Sequence, residues 1–121
     1  MKLLFLGDIV GNTGSNAIKN NLSEIVKKNN VDFVIANGEN SHETGVGISE
    51  NLTKEFLSCG IDVITTGNHV WDQKEIFDYI NCEKRLLRPI NLTGNLPGNG
   101  FGIYKSKILY RIRFLILIKN S

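Results

Sequence analysis

Asp8, Glu39, Asn40, Asn68 and His69 are the residues of this chain whose types and spacing could do chemistry. Each cluster follows an apolar run. Leu3-Leu4-Phe5-Leu6 precedes Gly7-Asp8, Phe33-Val34-Ile35-Ala36 precedes Asn37-Gly38-Glu39-Asn40, and Val63-Ile64-Thr65 precedes Thr66-Gly67-Asn68-His69. If the runs are strands, carboxylate, amide and imidazole groups gather at successive strand exits, the edge where open α/β sheets bind ligands. Glu and Asn offer anionic and neutral oxygen ligands that suit hard or borderline divalent ions. An imidazole can ligate a metal or move protons. The pattern predicts a metal site for phosphate chemistry, centred on a carboxylate that bridges two ions about 3.5–4 Å apart. Such ions make a shared water acidic enough to attack phosphorus as hydroxide. Glu39 is the better candidate for the bridge, with Asp8 holding one ion and Asn68 the other. His69, next to a ligand, is placed to protonate the leaving oxygen, a contribution of typically about 10²–10⁴-fold.

Taken singly, the clusters say less. Asp8 before glycines is also an ordinary turn residue, and His69 also reads as a helix-cap or core histidine. His42, in a loop of small and polar residues, reads as solvated. Asp72 reads as a helix cap and Trp71 as packing beneath the loop. Gly45-Val46-Gly47 is too sparse for a phosphate cradle and reads as a flexible turn.

The elements that must position these groups alternate between two periods. A buried strand over residues 2–6 leads into a glycine-rich turn over 7–14. A helix over about 15–29 puts Ile18, Leu22, Ile25 and Val26 on one face at 3.6-residue spacing. A second strand over 31–36 is followed by a long polar loop over 38–47. Ser49 is the expected N-cap of a helix that turns Leu52, Phe56 and Leu57 inward and ends at Gly60. A third strand covers 61–65, and Asp72-Gln73-Lys74-Glu75 resembles a capping box for a short helix carrying Ile76, Phe77 and Ile80. This alternation predicts βαβ units and a mostly parallel sheet, with strand order left open. Residues 91–102 hold glycines and Pro97 and read as a loop. From 103 to 118 the pattern is one or two strands, the last apolar enough to need cover on both faces.

Composition narrows the class. At 121 residues the chain is one domain at most, with 41% hydrophobic and 21% charged residues, as in ordinary soluble globular proteins. A net charge of +2 without a dense Lys/Arg block gives no basis for nucleic-acid binding. Lys27-Lys28 reads as the solvated end of a helix. The opening residues form a first strand in place of a signal peptide, and the apolar run 114–118 is far too short to span a membrane. Cys59 and Cys82 lack CxxC spacing and are expected to be reduced thiols in a cytoplasm.

Gly7-Asp8-Ile9-Val10-Gly11, Ala36-Asn37-Gly38-Glu39-Asn40 and Thr66-Gly67-Asn68-His69-Val70-Trp71-Asp72 resemble the YmdB-like family of calcineurin-type metallophosphoesterases. The blocks keep the family's order and spacing from Met1 to about Lys105. Gly-Asn-His alone marks the broad superfamily; Gly-Glu-Asn combined with Gly-Asn-His-Val-Trp-Asp is specific to this branch. The resemblance implies an α/β fold, a sandwich of two sheets flanked by helices. It implies a cytoplasmic phosphodiesterase acting on cyclic nucleotides such as 2′,3′-cyclic AMP, with two divalent metal ions, iron or manganese. It also implies Asp8, Glu39, Asn40 and Asn68 as metal ligands, Glu39 bridging, and His69 as proton donor.

The family completes its centre with three histidines from later loops, whereas no histidine follows His69 here. The chain therefore reads as an incomplete N-terminal half with βαβαβ units. Residues 106–121 read as a divergent apolar tail of the kind that an early stop or a shifted reading frame leaves. The expected function is metal-dependent hydrolysis of a cyclic nucleotide. The alternatives are a truncated, catalytically inactive fragment or one half of a split enzyme, and, more weakly, a nucleotide-binding module without turnover. The expected partner is the small-molecule cyclic nucleotide, with no membrane or stable nucleic-acid partner; homo-oligomer formation stays open.

Overall fold

A computed structural model describes residues 1–117. Four strands, β1 (Leu3–Leu6), β2 (Phe33–Asn37), β3 (Val63–Thr65) and β4 (Leu86–Leu87), form a parallel sheet in the order β1-β2-β3-β4. The crossovers are α1 (Gly11–Asn29) and α2 (Glu50–Ser58). Strands laid down in sequence order with right-handed crossovers put successive helices on the same face. Leu22 of α1 and Phe56 of α2 accordingly share one buried cluster with Val34, Ala36 and Ile64. A short α3 (Ile76–Tyr79) adds Ile76 to that cluster.

The alternate strand residues Phe33, Ile35, Val63 and Leu87 face the other side. There β5 (Phe101–Lys105) and β6 (Arg111–Leu115) pair as an antiparallel hairpin. Its inward residues Tyr104, Ile112 and Phe114 pack on the sheet, joined by Ile116. The Phe114 ring stacks on Phe33 at 5.9 Å between centroids. Burial pushes the Tyr104 phenol up to about 12, and its hydroxyl donates to the Lys84 carbonyl at 2.6 Å. The architecture is thus α/β, with a parallel sheet, helices on one face and a small second sheet on the other.

Several elements differ from their sequence reading for identifiable reasons. The glycines before residue 15 do not make a turn: α1 begins at Gly11, and the Gly14 amide already donates to the Val10 carbonyl at 3.1 Å. A Cβ at Gly14 would press on Ile9 Cγ2 at 3.2 Å, so glycine lets the first helical turn sit close to the preceding segment. β1 is an edge strand and is not fully buried. Leu4 and Leu6 pack on the helix side, while Leu3 and Phe5 are 49% and 60% exposed because the hairpin lies over β2, β3 and β4. Ile25, expected on the buried face of α1, is 39% exposed at its flank. Ser49 does cap α2, its Oγ accepting from the Leu52 amide at 3.1 Å. Of the apolar tail, Leu115 ends β6 and Ile116 packs inward, while Ile118 lies outside the described residues. Among the described residues, no helix is long and apolar enough to cross a membrane.

Candidate functional site

Three strand exits converge because backbone hydrogen bonds continue past the ends of the strands. The Ile9 amide donates to the Asn37 carbonyl at 3.1 Å, and the Gly11 amide to the Asn40 carbonyl at 2.9 Å. The segment after β1 therefore runs beside the segment after β2. Asp8 and Asn40 meet there, with Asn40 Nδ2 donating to Asp8 Oδ1 at 2.8 Å. That bond occupies the amide nitrogen and directs the amide oxygen, the ligand atom of an Asn, away from the carboxylate.

The next junction is tighter. The Gly38 amide donates to the Thr65 carbonyl at 2.9 Å, holding the β2 exit against the β3 exit. The Glu39 carboxylate then lies directly against Gly67, where a Cβ would overlap both of its oxygens. No residue with a side chain fits at 67 unless Glu39 moves. Glu39 Oε1 also accepts from the His69 amide at 3.2 Å. The glycine thus gives the carboxylate its place, and the backbone of the following turn orients it.

His69 is held by a residue that the sequence reading assigned to another task. Residues Asn68–Trp71 form a 3₁₀ turn, a geometry in which positions i and i+3 eclipse. Asp72 consequently stands over His69, with His69 Nδ1 and Asp72 Oδ2 2.7 Å apart. An ionised carboxylate only accepts, so Nδ1 carries the proton and Nε2 is left for chemistry. The expected capping box does not form. Instead α3 starts at Ile76, its cap position Glu75 makes no side-chain capping bond, and Phe77 is 50% exposed beside Trp71. The spacing Gly-Asn-His-x-x-Asp was visible, but a capping box and a 3₁₀ turn use the same polar residues.

Of the expected ligands, the structure joins Asp8 to Asn40 and places Glu39 against the turn that carries His69; Asn68 is exposed at the start of that turn. Among the described residues, no three of His, Cys, Asp or Glu stand close enough together to hold a metal ion. The donor set of two carboxylates and two amide oxygens nevertheless suits divalent ions that prefer oxygen. The fit is partial: the pairwise junctions provide some ligands, and octahedral ions need more.

His42 lies in its loop as expected, with its ring bonded at the surface. It is half-buried, its Nδ1 lies 2.9 Å from Thr44 Oγ1, and its amide donates to the Gly47 carbonyl at 2.9 Å. Trp71 packs on the core as expected, with its buried Nε1 lacking a hydrogen-bond partner among the described residues. The 42–47 loop is more than a flexible turn. Gln73 Nε2 donates to the Val46 carbonyl at 3.1 Å, fastening it to the His69 turn.

A family model for YmdB-like proteins matches residues 4–119. The 2′,3′-cyclic-nucleotide 2′-phosphodiesterase of Bacillus subtilis is 40% identical over 106 residues, which are 88% of this chain and 40% of that protein. The crystal structure of a novel phosphatase from Mycoplasma pneumoniae superposes on all of this chain with a TM-score of 0.89 and 36% identity, and the match covers 44% of that structure. A Thermus thermophilus protein of known structure and no stated function gives a TM-score of 0.85 at 31% identity over 97% of this chain and 44% of its own. This chain spans 40% of the length of the Bacillus relative. With that match across nearly all of its residues, the chain belongs to the YmdB-like protein family.

Proposed function

We propose that this chain carries the metal-binding and proton-donating part of a phosphodiesterase centre, and that its substrate is a cyclic nucleotide such as 2′,3′-cyclic AMP. One observation carries the reading: the Glu39 carboxylate, seated against Gly67, accepts from the backbone of the turn that presents the His69–Asp72 pair. The phosphodiesterase and phosphatase descriptions of the relatives support the reaction class. Asp8, Glu39, Asn40 and Asn68 would hold two divalent ions, iron or manganese. Such ions supply an acidified water as nucleophile and neutralise charge on the phosphate oxygens.

The chain's own residues do the rest. Glu39, seated at the junction of the β2 and β3 exits, would be the carboxylate shared by the two ions. Asn40 orients Asp8 through its amide nitrogen. As the phosphorus–oxygen bond to the ribose breaks, the leaving oxygen takes a proton from His69 Nε2. Asp72 holds the ring by Nδ1 and so leaves Nε2 as the atom that donates. The free Cys59 and Cys82 support a reducing compartment, so the proposal places the protein in the cytoplasm.

A second reading is favoured by a specific observation. Among the described residues, no three of His, Cys, Asp or Glu could hold a metal. On that reading the isolated chain is a catalytically inactive fragment, or one half of a split enzyme. The test is hydrolysis of 2′,3′-cyclic AMP by the purified chain with added Mn²⁺ or Fe²⁺, beside His69→Ala. Metal-dependent turnover that the substitution abolishes supports the first reading. Folded protein without turnover in either metal leaves the second.

A further inference from the structure

The 42–47 loop joins the two halves of the candidate site. It follows Glu39 and Asn40 directly and then returns to touch the turn that carries His69. Gly47, at φ +78°, packs against that turn. A Cβ there would lie 3.2 Å from the His69 carbonyl oxygen, 3.4 Å from Asp72 Cβ and 3.1 Å from Gln73 Cγ. The loop holds its own shape: the Gly45 amide donates to the His42 carbonyl at 2.8 Å and the His42 amide to the Gly47 carbonyl at 2.9 Å. Across this contact the side-chain bond from the turn to the loop is Gln73 Nε2 to the Val46 carbonyl, 3.1 Å over 27 residues of sequence.

We propose that Gln73 is a positioning residue: its bond to Val46 fastens the Asn68–Trp71 turn to the 42–47 loop and thereby fixes where the His69 imidazole stands. Its value for catalysis rests on the phosphodiesterase reading above, whereas its effect on the imidazole does not. Gln73 follows Asp72 directly, so a turn released at Gln73 lets the Asp72 carboxylate shift relative to Nδ1. A hydrogen bond that holds a ring in one tautomer is lost once the geometry loosens.

The experiment uses the metal-free chain with ¹⁵N-labelled histidine, His69 being assigned by His69→Ala. Gln73→Glu keeps the shape and replaces the donor by an acceptor facing a carbonyl. Gln73→Met removes the polar group while keeping the stem, and serves if the charged variant does not fold. The wild-type His69 spectrum is expected to show one tautomer, with the proton on Nδ1. Either variant is expected to give a mixture of tautomers while the His42 signals stay in place. An unchanged His69 spectrum in a folded variant overturns the proposal. In any preparation that turns over cyclic nucleotide, kcat falls about tenfold to a hundredfold with KM nearly unchanged. Mixed tautomers in a wild-type chain that shows no turnover would sink the phosphodiesterase reading and, since the wild type then lacks a fixed ring, this proposal with it. A single wild-type tautomer that mixes on substitution, without turnover, sinks only the former.

Discussion

Gly67→Ala isolates the role of Glu39 without touching a charged or ligating group. In the native site a Cβ at 67 overlaps both carboxylate oxygens of Glu39. Carbon and oxygen atoms settle only a little under 4 Å apart, so the carboxylate must retreat by about 1 Å or more. Glu39 is half-buried and its far end can swing, so the substitution displaces the side chain and leaves the sheet intact. The stability cost is the lost bond from the His69 amide, about 1 kcal/mol, or a fall in melting temperature of roughly 3–5 °C. The cost in metal affinity is far larger. A ligand moved by that distance weakens binding by about 10–100-fold, the range seen when a metal ligand loses its orienting partner. Thermal unfolding by circular dichroism and Mn²⁺ titration by calorimetry, on both proteins, separate the two effects. Equal Mn²⁺ affinity in a folded Gly67→Ala protein would refute the placement of Glu39 in the centre.

Other outcomes follow from the same geometry. Asp72→Asn keeps a group beside His69 Nδ1 but loses the charge, so in any preparation that hydrolyses cyclic nucleotide turnover falls about tenfold or more while urea unfolding changes little. Ser49→Ala removes the α2 cap and costs about 1 kcal/mol by urea titration; no measurable change would mean the helix does not need it. Tyr104 has its folded-state value raised from 10.0 to about 12, so the folded chain keeps its phenol proton longer than the unfolded one. That stabilisation is complete below pH 10 and is lost as pH climbs toward 12, a loss on urea titration that Tyr104→Phe should abolish.

Much of the fold could be read in the chain because hydrophobic period and turn chemistry agree over most of it. Ser49 before an apolar helix face meant a cap, and the alternation of strand and helix meant a parallel sheet. The misreadings share a physical origin in tertiary context. Gly11 and Gly14 looked like a turn because glycine favours turns; Gly11 does take a left-handed φ of +58°, but it opens α1, and close packing against Ile9 keeps Gly14 inside the helix. Leu3 and Phe5 looked buried because apolar runs do in parallel sheets, and nothing local tells an edge strand from a central one. β4, with only Leu86–Leu87, is too short for any periodicity to mark. Asp8, Glu39, Asn40, Asn68 and His69 were singled out by type and by position after strands; of these the structure joins Asp8 to Asn40 and Glu39 to the His69 amide. Asp72 was singled out for the wrong role, since a capping residue and a histidine partner look alike until the turn's geometry is known. Gln73 carried no chemical signal at all.

On the proposed function these strand exits build a metal centre around Glu39. Electron paramagnetic resonance of Mn²⁺ titrated into the purified chain and into Glu39→Gln tests it most directly. The wild-type chain is expected to remove free Mn²⁺ signal, and the variant, folded to the same extent, to do so far more weakly. Free Mn²⁺ throughout the wild-type titration, or equal binding by both proteins, would contradict it.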